Sequence, residues 1–109
     1  MSIPHAKSGE VIQLRLGAAL SSSKTTSLVK TAELELIRMI LPAGKQIAPH
    51  KAPGVITVQC LEGCIAFTTE VQTQELAAGQ MLYLKKGEVH SLMGIADSSV
   101  LVTILLSKD

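Results

Sequence analysis

Residues 41–63 read LPAGKQIAPHKAPGVITVQCLEG. The stretch opens on Pro42, Ala43 and Gly44, a turn signal, and closes on Glu62 and Gly63, another. Between them runs VITVQC. In an extended chain Ile56, Val58 and Cys60 fall on one face, and Val55, Thr57 and Gln59 on the other. The first set is the more apolar, so it is expected to face a hydrophobic interior. One histidine, His50, stands ahead of that strand among alanine, proline and lysine.

Working outward, the punctuation repeats. Glu62-Gly63 precedes CIAFTTEV, Ala78-Gly79 precedes QMLYL, Lys86-Gly87 precedes EVHSLM, and Gly94 to Asp97 precedes SSVLVTILL. Short β-rich runs between evenly spaced turn signals predict an all-β sandwich or barrel. On the N-terminal side, VIQLRL (11–16) alternates apolar and polar residues and is predicted to be a half-buried strand. GAALSSS (17–23) reads as a loop or one helical turn, and TTSLVK (25–30) as a short strand. AELELIRMIL (32–41) is rich in helix formers, but its early alternation and its Pro-Ala-Gly stop favour a strand.

Two segments share one plan: a glycine, a short run, then a histidine. In the first, Gly44 is followed by five residues, His50, and Gly63 at a fixed distance; in the second, Gly79 is followed by QMLYL, Gly87 and His90. In these anchors the chain resembles the small single-domain cupins, the RmlC-like jelly rolls, and the strand pattern agrees over residues 32–106. The resemblance implies a double-stranded β-helix, or jelly-roll barrel, over residues 32–109. Residues 1–31 would supply N-terminal strands and a loop packed on it.

The departures bear on function. Metal-binding cupins ligate through two histidines and a glutamate of the first motif and the histidine of the second. Here the second histidine falls on Ala52 and the glutamate on Ile56, while the proline and asparagine of the second motif fall on Lys85 and Gly94. Only His50 and His90 carry over. A stable transition-metal site takes three or four protein donors, and alanine and isoleucine offer no lone pair. Three readings stay open for the pair. One is a weak divalent-metal site with Cys60 as a third donor. Another is a metal-free pocket in which the imidazoles hydrogen-bond a small polar ligand. The last is a relic pair without a ligand. Arg38 keeps step with Leu34, Leu36 and Ile40. If that face points inward, its guanidinium needs an acceptor, which a carboxylate or phosphate ligand would supply. The alternative places Arg38 at a rim or against a glutamate such as Glu35.

Composition narrows the rest. The chain of 109 residues is one domain's length, and Phe67 and Tyr83 are its only aromatics, so aliphatic residues must fill the core. Ten basic residues against nine acidic ones form no basic stripe, which argues against nucleic acid. No apolar run reaches the roughly 20 residues of a spanning helix, and the start has no signal-peptide pattern, so a cytoplasmic protein without a membrane partner is expected. Cys60 and Cys64 flank a turn and read as reduced thiols rather than a redox pair. His5 reads as exposed. No serine has a histidine–acid partner by spacing, and no catalytic residue can be named. LELIRMIL and VLVTILL are apolar on both faces, and the resemblance implies a homodimer. The expectation is a cytoplasmic, dimeric cupin that binds a small molecule through His50, His90 and Arg38. Two alternatives remain: a metal-dependent dioxygenase or isomerase with a rebuilt ligand set, and a non-catalytic regulatory or structural subunit.

Overall fold

The computed structural model describes residues 5–106. The first four and last three residues, which end the expected 1–31 and 32–109 segments, lie outside the described residues. The described residues form a single 3-10 turn, Leu20–Ser22, and nine strands. These are β1 (Thr26–Lys30), β2 (Leu34–Leu41), β3 (Gln46–His50), β4 (Ile56–Glu62), β5 (Cys64–Thr69), β6 (Thr73–Ala77), β7 (Met81–Leu84), β8 (His90–Gly94) and β9 (Ser98–Leu105). Five make one sheet in the order β1-β2-β9-β4-β7, and four make the other in the order β3-β8-β5-β6. Every pairing is antiparallel. Among the described residues no helix is long and apolar enough to cross a membrane.

The core lies between the sheets. From the five-stranded sheet come Leu41, Ile56, Val58, Cys60, Val100 and Val102; from the other come Ile65, Phe67, Leu76 and Leu92. The parity read for β4 holds, since Ile56, Val58 and Cys60 are all buried in this cluster. Parity in β2 runs the other way. Ile37 and Met39 pair with Val102 and Val100, whose side chains are in the core, so the inner face of β2 carries Ile37, Met39 and Leu41. Leu34, Leu36, Arg38 and Ile40 therefore line the outer face. Both β2 faces are apolar, and the sequence period could not say which one the barrel would take.

Two turns show why glycine stands where it does. Gly63 links β4 to β5 at φ +83°, and a Cβ there would collide with the Asp97 carbonyl and the Ser98 hydroxyl. Gly54 lies against the Leu105 carbonyl, which leaves no room for a methyl group.

The strand predicted over residues 11–16 is not formed. Its alternation is real, because Ile12 and Leu14 are half-buried while Val11, Gln13 and Arg15 are exposed. It pairs with no strand of either sheet. Left-handed backbone at Arg15 (φ 56°) and Gly17 (φ 87°) also breaks the extension. The segment instead crosses the outer face of β1 and β2, pinned just past its end by the Gly17 N–H donating to Glu62 Oε2 at 2.8 Å.

Candidate functional site

β3 and β8 pair so that His50 stands directly opposite His90, after a register shift between Ile47 and His50. The shift lets Pro49, which lacks an N–H, sit at this edge strand without breaking a ladder bond. The two ring centroids are 4.3 Å apart, tilted by 59°. His90 is 4% exposed and its ring stacks on Phe67, with centroids 5.5 Å apart and planes within 7°. His50 is exposed, so the pair spans the rim between core and solvent.

The backbone sets the tautomers. His50 Nδ1 lies 2.9 Å from the Ala48 carbonyl, and His90 Nδ1 lies 3.0 Å from the Glu88 carbonyl. A carbonyl only accepts, so each Nδ1 carries the proton, and each neutral ring keeps its lone pair on Nε2. Burial pushes His90 below the usual histidine range. Its bond to the Glu88 carbonyl and the Glu88 carboxylate pull it up, and neighbouring His50 pushes it down. His90 is thus held neutral, a pure acceptor at Nε2.

The surroundings do not complete a resident metal centre. Ile56 is packed in the core and Ala52 packs against it, and neither can ligate. Cys60 does not serve as a third donor. Its buried thiol faces the Glu62 and Gly63 carbonyls, at 3.5 and 3.7 Å, at the turn end of β4. Burial raises its pKa, as does neighbouring Cys64, which keeps it a thiol rather than a thiolate. Among the described residues no group of three or more His, Cys, Asp or Glu gathers at one point. Two imidazole acceptors remain, suited to groups that donate hydrogen bonds.

Arg38 does not join the histidines. It points out of the five-stranded sheet, 7% exposed, and donates from Nη2 to Glu62 Oε1 at 2.9 Å. Its carboxylate partner is thus Glu62 and not Glu35, which binds Ser27 and Lys30 instead. Ser99 also donates to Glu62 Oε1, at 2.7 Å. The Gly17 N–H, the Ser99 hydroxyl and Arg38 together hold the Glu62 carboxyl below its usual range, against a smaller effect of burial. Glu62 had read as a turn residue. Its role joins residues 24 positions apart, and no local pattern announces it. His5 is exposed, as expected, with Nε2 3.1 Å from the Ser27 hydroxyl.

Compared by sequence, the chain matches no protein-family model and no curated protein. Compared by structure, it resembles a conserved protein of unknown function from Streptococcus pyogenes, at 22% identity and TM-score 0.81, over 100% of this chain and 97% of that one. A cupin superfamily protein from Desulfitobacterium hafniense superposes at TM-score 0.78 with 16% identity, over 94% of this chain and all of that one. An RmlC-like cupin with a double-stranded β-helix from Methanocaldococcus jannaschii superposes at TM-score 0.77 with 17% identity, over 92% of this chain and 93% of that one. The chain has the cupin fold. His50 and His90, the histidines of the two sequence motifs, face each other across β3 and β8. The cupin fold hosts many chemistries, so function must be argued from these side chains.

Proposed function

We propose that this cupin-fold protein binds a small molecule at the rim of its barrel and acts as a binding protein rather than an enzyme. One observation carries the reading: His50 and His90 stand 4.3 Å apart with both Nδ1 atoms tied to backbone carbonyls. The two Nε2 lone pairs suit a ligand with hydroxyl or ammonium donors, and the Phe67 ring beneath His90 supplies an apolar floor. Among the described residues they are not joined by enough His, Cys, Asp or Glu side chains to make a group of three. A thermal-shift screen of polyols, sugars and amines tests the reading. A true ligand adds about 2.7 kcal/mol of stability at a hundredfold excess over Kd. That gain should vanish in His50→Ala. Stoichiometric transition metal in the purified protein, lost in the same variant, would overturn the proposal in favour of a metal-dependent enzyme.

The same reading takes the protein as a cytoplasmic homodimer. Its support is the outer face of the five-stranded sheet, where Met81 and Tyr83 are 55% and 65% exposed. Leu101 and Leu105 continue that face on β9, and a second copy would cover it. Both cysteines are free, which suits a reducing compartment.

A further inference from the structure

A cavity of about 360 Å³ lies between the N-terminal segment and the outer face of β1 and β2. It is within the range of about 300–1,000 Å³ in which small-molecule sites fall. Arg15, Lys24 and Arg38 line it, and no acidic residue does. Arg38 is over nine-tenths buried, and its one carboxylate partner, Glu62, takes a single Nη2–H. Its Nε is buried and meets no acceptor. An unpaired donor on a buried cation is costly unless an acceptor arrives. Arg15 adds an independent sign. Among the described residues it is the one non-glycine residue with positive φ, at 56°, and that strained backbone sits on the cavity wall. Three cations line the cavity against two neighbouring carboxylates, Glu62 on Arg38 and Glu10 in the adjoining pocket that Arg15 also lines, so the local balance favours an anion.

We propose that this cavity is a binding site for a small organic oxyanion, a carboxylate or phosphate, with Arg38 as its buried anchor and Arg15 and Lys24 at its mouth. The site lies on the opposite face of the sheet from the imidazoles and does not depend on what they bind. Titrating the full chain with inorganic phosphate and, separately, with malonate tests it by ¹⁵N–¹H correlation spectra, with chloride at matched ionic strength as the reference. The expected result is saturable movement of the Arg38 Nε–H signal and of the Arg15, Lys24 and Thr26 amides. Phosphate and malonate affinities then show which oxyanion the site prefers. Arg15→Gln with Lys24→Gln alters exposed side chains only and should weaken binding at least tenfold, while His50→Ala leaves it unchanged. Absence of saturation with both anions, affinity unchanged in the double variant, or movement centred on His50 and His90 would each overturn the proposal.

Discussion

Arg38 and Glu62 form an ion pair in which neither partner is fully solvated: their side chains are 9% and 19% exposed. Removing one partner of such a pair strands the other, whereas replacing both with apolar groups can be neutral. Glu62→Ala is therefore expected to cost about 3–5 kcal/mol in urea unfolding, and Arg38→Met with Glu62→Leu much less. The pH dependence of stability has two parts of the same sign. Glu62 is depressed in the folded state, so its contribution is complete above the unfolded value of about 4.3 and is lost as pH falls through the folded one. His90 is also depressed, so its contribution is complete above about 6.5 and is lost as pH falls through its folded value. Melting temperatures should thus decline first below about pH 6.5 and again below about pH 4. His90→Gln should flatten the first step and Glu62→Gln the second. An NMR titration of His90 with a midpoint at or above that of a free imidazole would contradict the first assignment.

At the scale of the element, turns and faces can be tested separately. Gly63 and Gly79 both adopt left-handed backbone, at φ +83° and +90°. A Cβ at Gly63 meets Asp97 and Ser98, while one at Gly79 meets nothing within 4 Å. Gly79→Ala should cost about 1–2 kcal/mol, the conformational penalty alone. Gly63→Ala should cost clearly more, because the β4–β5 turn must also move away from β9. Equal losses in chemical denaturation would show that the close approach at Gly63 carries no weight. On β4, Ile56→Ala removes a fully buried side chain and should cost about 2–5 kcal/mol. Thr57, its neighbour on the other face, is only half-buried, and Thr57→Ala should cost far less.

For the whole molecule, the decisive quantity is how the outer face of the five-stranded sheet is covered. The N-terminal segment lies over the Arg38 end, fastened through Gly17 to Glu62. The β7 end, with Met81 and Tyr83, is bare in the single chain. Light scattering should return twice the 11.5 kDa of one chain, and Tyr83→Glu should shift the mass toward one. A monomeric mass at micromolar concentration would remove the dimer from the proposal and leave both binding sites intact.

Much of this protein could be read from the order of its residues. The turn glycines and the inward set on β4 follow from local geometry, because strand parity and left-handed turns involve neighbours in the chain; His50 and His90 were singled out only by the resemblance to the cupin motifs. The tertiary structure alone decided the rest. Residues 11–16 have a strand's alternation but no strand, since left-handed backbone at Arg15 and Gly17 turns the chain out of the extended conformation. β2 is apolar on both faces, and only its pairing with β9 chose which one is inside. Arg38 found Glu62, and His50 found His90, across sequence gaps that periodicity does not span. A pattern of residues fixes which side chains share a face; which face is buried, and against what, depends on the partner that arrives.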